Sequence, residues 1–455
     1  MKRTGRSIAS LAIAGVVWLS TGAAAQPVLT ADDAVKMALQ RNSQVVGAAA
    51  SVLSARGGVD NAYAGVLPHL SASLSRSGSQ TKNQTGTQIF GGHSSLPAGT
   101  PEYDTYATSP TLSGSWTVLD LSNISGLTSA RASLRGARWG LRATRADVAL
   151  GTRQQFYQVV QAVKLIGVTT NALQLARDSE RRVRTLFEVG SVSRNDVLQA
   201  QVQTAQSQLD SIAATQSLLI QRDQLATLIG VEEAKLGEVD TVLTFTPREY
   251  DEAGLLREAS EKRPDLKAAH AKLQSAQAGV TAARLGWLPY VTLSGSASFN
   301  PFSTSKTFVA DTLGVLQPLN SRSESDRQYS GRMALNWDFY DGGVTSARNA
   351  VARSQLDVAR DAYEVLQRNL AGEVHEAALT YQQALGSEAV AEAAVASATE
   401  SMKLTQQKYN VGSATILDLI TAQVALERAQ SQLVNALAAI RVAEARIDRV
   451  RGQGE

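Results

Sequence analysis

The sequence predicts a mainly α chain with a small transmembrane β part, built from one unit written twice. Three observations predict this class. Landmarks recur at a fixed separation: Leu67-Pro68 returns as Leu288-Pro289, and Trp116 with Asp120 returns as Trp337 with Asp341, each shifted by 221. Val189-Gly190-Ser191 with Asp196 and Gln201 returns as Val411-Gly412-Ser413 with Asp418 and Gln423, shifted by 222. Two stretches, about 124–188 and 344–410, contain no proline and are rich in Ala, Gln, Arg and Leu. Each reads as a helix of about 65 residues, roughly 95 Å long at 1.5 Å per residue. Finally, short segments alternate apolar and polar residues with the period of a strand.

The first 25 residues read as an export signal. Lys2, Arg3 and Arg6 form a basic start, Ile8–Leu19 is a short apolar stretch, and Ala23-Ala24-Ala25 supplies a small-residue cleavage site. The division expected is therefore 1–25 signal peptide, 26–230 first repeat, 231–250 a partly extended linker at the equator, and 251–455 second repeat.

Charge follows from that division. The chain carries 44 basic and 41 acidic residues, and the signal holds three bases and no acid. What remains is balanced, 41 against 41, so a nucleic-acid partner has no electrostatic support. With no cysteine there is no disulfide, thiolate metal site, cysteine nucleophile or lipidated cysteine. No unbroken run of 18 apolar residues follows residue 25, so no transmembrane helix is expected.

Taken in order, residues 30–65 read as a helix opened by the Thr30/Asp33 capping box and ended by Pro68. Residues 69–78 alternate, with Leu70, Ala72 and Leu74 opposite Ser71, Ser73 and Ser75. Residues 79–108 read as a long polar loop. Residues 111–119 alternate again, Leu112, Trp116 and Val118 against Thr111, Ser113, Ser115 and Thr117. The long helix ends at Gly190, placed as a C′ glycine, and a helix returns over 194–229. The second copy repeats the plan. Val291, Leu293, Ala297 and Phe299 face one way, a loop covers 301–328, and Tyr329, Met333, Leu335, Trp337 and Phe339 alternate with Ser330, Arg332, Asn336 and Asp338. Helices at 344–410 and 416–450 flank Gly412.

Apolar residues opposite Arg332, Asn336 and Asp338 suit a lipid exterior and a wet lumen. Strands facing lipid cannot leave an open edge, because unpaired backbone groups are costly there. Four strands cannot close a barrel, for which about eight is the workable minimum. The barrel must then be shared, with two, three or four chains giving 8, 12 or 16 strands. The helices, continuing from the strands, should form a tube beneath it. The five aromatics Trp116, Trp287, Tyr290, Trp337 and Tyr340 are candidates for a membrane girdle.

These features carry a resemblance to the TolC family of outer-membrane efflux proteins, over essentially all of the chain past residue 25. The residues that carry it are Arg263-Pro264-Asp265-Leu266, the two Leu-Pro strand starts, Trp337-Asp338-Phe339-Tyr340-Asp341-Gly342-Gly343, and Tyr409-Asn410-Val411-Gly412-Ser413. The resemblance implies a homotrimer with a 12-stranded β-barrel continued by a periplasmic α-helical barrel. It also implies export driven by an inner-membrane pump of RND, ABC or MFS type through a periplasmic adaptor protein, in a tripartite efflux or type I secretion system.

The resemblance further implies a periplasmic gate at the hairpin tips. Asp418 resembles the first gate aspartate; Thr421 stands where a second is expected, and Ala414 where a tethering arginine is expected. Tyr409 and Asp196 resemble tether positions, and Arg194 is the candidate replacement for the arginine. The bland alternative is that Ser193/Asp196 and Thr415/Asp418 simply cap the returning helices. Val189, Gly190, Ser191 and Val411, Gly412, Ser413 are ordinary hairpin turns or an adaptor-docking surface.

No catalytic, metal or cofactor site is readable. His69, His93, His270 and His375 are not spaced as a ligand set, and the chain lacks G-x-S-x-G, P-loop and H-E-x-x-H motifs. The rival classes are a soluble periplasmic coiled-coil adaptor and a structural spacer without a pore; neither needs alternating strands with aromatics. What is exported is not written in the sequence.

Overall fold

A computed structural model describes residues 28–82, 102–300, 302–310, 316–320 and 326–453. The signal segment 1–25 and His93 lie outside the described residues. The first repeat holds α1 Ala31–Arg41, α2 Ser43–Ala64, β1 His69–Lys82, β2 Glu102–Leu119, α3 Leu121–Glu188 and α4 Arg194–Ile229. The second holds α5 Glu252–Lys262, α6 Pro264–Leu285, β3 Tyr290–Asn300, β4 Phe302–Ala310, β5 Leu316–Asn320, β6 Asp326–Asn336, α7 Val344–Asn410 and α8 Ile416–Val450. Between them, residues 231–250 hold one short 3-10 turn, Glu233–Lys235, and Val239 bridges Leu29 in parallel.

The duplication extends to single hydrogen bonds. The Trp116 indole N–H donates to the Val66 carbonyl at 3.0 Å, and Trp337 donates to Trp287 at 3.2 Å, both partners shifted by 221. Asp120 caps α3 through the amides of Ser122 and Asn123, whereas Asp341 takes those of Gly343 and Thr345. The one-residue slip therefore enters at Gly342-Gly343, where φ values of 65° and 91° demand glycine. From there the shift of 222 persists to the helix ends: Gly230 and Gly452 close α4 and α8 with φ of 70° and 74°.

Residues 30–65 were expected as one helix and form two. Asn42 adopts an extended conformation and its side chain accepts from the Gln44 amide, recapping α2. Arg263, 221 residues on, makes the equivalent break between α5 and α6, with Pro264 at the first helical position. The predicted loops are also shorter than 79–108 and 301–328. The β1–β2 register runs unbroken from His69↔Ser115 to Lys82↔Glu102, and β4 and β5 occupy part of the second loop. In those extensions the apolar residues are few and irregularly spaced, so pairing continues without the alternation that betrays a half-apolar strand. Conversely β6 ends at Asn336, which leaves Trp337 and Phe339 beyond the sheet.

Chain contacts divide the protein into two units. The first comprises the described residues to Ala38, Thr152–Phe245 and Ser387–Arg441. In it α3 packs on α8: the Gln423 amide donates to Ser179 at 2.7 Å, Gln161 to Asn435 at 2.7 Å, and Arg441 stacks over Tyr157. An 18-residue window of α3 reaches a mean hydropathy of 1.2, enough by length and composition to cross a membrane. A third of that window, 33%, is buried, and Val159, Val160 and Ala162 of α3 are core residues.

The second unit comprises Leu39–Gly151, Thr246–Gly386 and the described residues from Val442 on. Its helices meet in an ion network. The Arg263 guanidinium, 4% exposed, pairs with both Asp265 and Glu373, and Arg449 reaches Asp147 at 2.6 Å. Burial pushes the Asp265 carboxyl up, but the Arg263 guanidinium outweighs it and holds the group below the usual carboxylate range. Arg451 pairs with Glu258 at 2.8 Å, and the Tyr381 hydroxyl accepts from the Arg248 amide at 3.0 Å.

Candidate functional sites: a two-faced sheet and a pair of hairpin tips

The sheet of the second unit is an antiparallel meander. β2 pairs with β1 on one side and with β3 and then β4 on the other; β6 pairs with β3 and β5 with β4. Because β3 and β4 follow one another along β2, they act as one long strand, and β5 with β6 as another. The effective order is four strands, with β1 at one edge and β6 at the other.

Register sorts the two faces. Ala72, Leu112 and Ala297 stand opposite one another, as do Trp116, Leu293 and Met333, and Val291 with Leu335. This face is left in the open: Leu70 is 79% exposed, Met333 75% and Leu335 71%. Gly114 keeps it smooth, since a Cβ there would come to 3.0 Å of the Leu70 side chain. The opposite face is hydroxyl-rich. Ser71 bonds Ser113 at 2.7 Å and Ser296 bonds Ser330 at 2.8 Å. Together with His69 and Arg332, these serines line a concavity of about 420 Å³. A curved sheet with a wet concave side and a bare apolar outer side inverts the arrangement of a soluble sandwich, whose apolar face would be covered.

The girdle candidates divide. Trp116 and Trp337 are exposed and tied to the chain by their indole N–H, Trp287 is exposed, and Tyr340 is 82% exposed beyond β6. Tyr290 sits instead at the start of β3 on the parity of Ser294 and Ser296, half-buried.

The first unit carries the hairpin tips. Gly190 and Gly412 share a φ of 76°, and each tip closes with a matched pair of bonds: Ser191 to Leu186 with Gly190 to Phe187, and Ser413 to Lys408 with Gly412 to Tyr409. These are Schellman closures. Val189 and Val411 project from the tips, 69% and 78% exposed, beside exposed Ser191 and Ser413. Beneath them a shared core joins the hairpins: Val183 and Ala200 from the first, Met402, Tyr409, Ile416 and Leu419 from the second.

Both capping boxes form. Asp196 accepts from the Ser193 amide and hydroxyl at 2.9 Å, and Asp418 from the Thr415 amide at 2.9 Å and hydroxyl at 2.7 Å. Those Thr415 bonds hold the Asp418 carboxyl below its usual range, so it is ionised at neutral pH while remaining exposed. Thr421 is exposed, its hydroxyl turned back onto the Leu417 carbonyl.

Tyr409 and Asp196 come together across the hairpins. Burial first, and then the Asp196 carboxylate, push the Tyr409 phenol up, and among the described residues its hydroxyl has no hydrogen-bond partner. Arg194 is exposed and joins no ion pair among the described residues. The cation acting on Tyr409 is Arg182, which donates to Asn410 at 2.7 Å and so ties α3 to the end of α7. Arg182 carries no distinguishing signal in the sequence, being one of many basic residues on α3.

Comparison with known proteins agrees with this geometry. The sequence model of the family described as outer membrane efflux protein matches residues 34–231 and 255–453, once per repeat. The chain belongs to the outer membrane efflux protein family. Among curated members, the outer membrane protein TolC of Vibrio cholerae is 25% identical over 296 residues, 65% of each chain. The pyoverdine export outer membrane protein OpmQ of Pseudomonas aeruginosa is 26% identical over 413 residues, 86% of this chain and 79% of that one. The matches to TolC of Vibrio cholerae and of Escherichia coli span 65% and 57% of those relatives' length, less than two thirds. The solved outer membrane channel CmeC of Campylobacter jejuni superposes with a TM-score of 0.76 at 18% identity, covering 93% of this chain and 86% of that one. The outer-membrane channel OprN gives 0.75 at 20% identity, covering 93% and 90%. Within the efflux family, then, the fold is shared where most residues differ. Among the described residues, no group of His, Cys, Asp or Glu is arranged to hold a metal ion.

Proposed function

We propose that this chain is the outer-membrane exit duct of a tripartite efflux or type I secretion system, a passive conduit from periplasm to exterior. The observation that carries the reading is the sheet: a bare apolar outer face, a polar concave inner face, and two edges, β1 and β6, without a further partner among the described residues. Three copies of its four effective strands make a 12-stranded barrel, wide enough to leave a water channel, and close every edge. The duct does no chemistry and binds no cofactor or nucleotide. Its energy comes from an inner-membrane pump, of RND, ABC or MFS type, bridged by a periplasmic adaptor whose docking surface is the exposed tips at Val189–Ser191 and Val411–Ser413. An adaptor protein itself would have no use for the open apolar sheet.

In this reading the duct closes at the tips. Three symmetry-related copies of Asp418, ionised and exposed, form a carboxylate ring that binds cations. Tyr409, Asp196 and Arg182 hold the two hairpins of one chain together, and Arg194 and Thr421 stand on the exposed side of the tips. In planar bilayers the purified protein should conduct, and multivalent cations should block it. The Asp418→Ala variant should lose that block while still conducting. Unchanged block would remove Asp418 from the constriction, and absence of any conductance from inserted protein would end the duct reading.

A further inference from the structure

Charge is balanced over the chain past the signal, but not along α3. From Leu121 to Ala146 that helix holds no acidic residue and five arginines, Arg131, Arg135, Arg138, Arg142 and Arg145, spaced by three and four so that they share one face. All are exposed, and none joins an ion pair among the described residues. The second repeat shows that the fold does not require this. At the positions 222 residues on, α7 carries Arg353, Asp357, Arg360, Glu364 and Gln367, and Arg360 pairs with Glu364 at 3.0 Å. The counterparts of that pair on α3, Arg138 and Arg142, are two like charges one turn apart, which weaken a helix rather than support it.

The surplus borders a cleft of about 510 Å³ inside the second unit, lined by α3, α5, α6 and α7 and within the size range of small-molecule sites. Arg135 and Lys267 line it, and among the described residues no carboxylate does. The Arg135 guanidinium is steered by the Gln274 side-chain carbonyl, to which it donates at 3.0 Å. The Lys267 ammonium, on a half-buried side chain, lies 4.8 Å from the centre of the Trp139 ring, and the Arg142 guanidinium 4.6 Å from the same ring. Two like charges at one indole, with no carboxylate beside them, leave the site short of an anion. His270 and Tyr363, whose rings lie 5.5 Å apart, line the cleft with Trp139, and the buried Leu266 and Leu370 add apolar surface.

We infer that this cleft binds a small organic polyanion built on a flat ring. Its carboxylates pair with Arg135 and Lys267, and its ring packs against Trp139 and Tyr363. A carboxylate suits both cations, since it accepts two bonds from a guanidinium and neutralises an ammonium as a point charge. The aromatic wall rewards what an inorganic anion lacks, a flat apolar area to bury. Such binding needs neither the shared barrel nor the gate.

Trimesate, a benzene ring carrying three carboxylates, is the probe, because its charge keeps it out of detergent micelles. Titration calorimetry on the full-length wild type in mild detergent, at about 0.15 M salt to screen diffuse attraction, should show one saturable site per chain. Lys267→Gln and Arg135→Gln should each weaken binding at least tenfold with helix content unchanged. Arg284→Gln removes a cation of α6 that does not line the cleft, and should leave the affinity within about twofold. Trimesamide, the neutral triamide of the same shape, should not bind. Tricarballylate, an open-chain tricarboxylate without the ring, should bind at least fivefold more weakly. These two comparisons use the wild type alone, so they hold even where a variant fails to fold. No saturable heat with trimesate overturns the proposal. So does unchanged affinity in both glutamine variants of the cleft, or an equal loss in Arg284→Gln, which would mean diffuse attraction to basic surface. Binding of trimesamide as tight as that of trimesate removes the anion, and equal affinity for tricarballylate removes the ring; either overturns the ligand class.

Discussion

Glu427 on α8 is the residue whose ionisation opposes the fold. Burial first, and then the Asp210 carboxylate on α4, push its pKa above the ordinary glutamate value. The folded chain therefore holds that proton to higher pH than the unfolded chain. Its contribution favours folding at low pH and is lost as pH rises from the unfolded value through the raised folded one. The Tm of the wild type should fall across that window, and Glu427→Gln should flatten the fall; an unchanged slope would contradict the assignment. Asp418 works with the opposite sign. Its depressed pKa supplies stability that is present above the ordinary aspartate value and disappears as pH drops through the depressed one, below the Glu427 window. At the tips, Gly412 holds a φ of 76° in open space, so Gly412→Ala should cost about 1–2 kcal/mol of backbone strain with no steric clash. Hydrogen exchange near the second tip reads that loss, and unaltered protection there would show that another residue tolerates the left-handed turn.

Among elements, the break between α5 and α6 is the most heavily tied. Arg263 is buried between Asp265 and Glu373; Arg263→Leu leaves Asp265 with Arg449 at 3.7 Å and the half-exposed Glu373 to water, and should cost roughly 1.5–3 kcal/mol. Denaturant unfolding in detergent measures it, and a loss below about 1 kcal/mol would mean that water replaces the guanidinium. The sheet makes a sidedness prediction. Met333→Arg, on the bare face, should lower the stability of the folded barrel by about 2–4 kcal/mol, whereas Ser330→Arg on the concave face should leave it nearly unchanged. Equal effects would put lipid on neither face. Both faces of this sheet were legible in the sequence because Leu112, Leu293 and Met333 alternate with Ser113, Ser294 and Arg332. The long helices and their glycine stops were legible for the same kind of reason. The break at Asn42 was not: one capping side chain interrupts a run whose apolar spacing continues on both sides. Nor were the strand extensions beyond the apolar band, where pairing is made by backbone and leaves no mark on side chains. The tether around Tyr409 was half legible, since the tyrosine and Asp196 sit at recognisable distances from their glycines, while Arg182 lies about two helix turns before the nearest landmark, Val189.

For the whole molecule, the proposed shared barrel follows from the two outer strands, β1 and β6, which pair on one side only among the described residues. Family membership accounts for the fold, and the open edges of β1 and β6 are the ground for proposing a barrel shared between chains. The decisive measurement is the mass of the protein extracted from outer membranes in mild detergent, by light scattering with the detergent contribution subtracted. Three chains per particle is the predicted result. A stable single chain, soluble once detergent is withdrawn, would contradict the shared barrel and with it the duct.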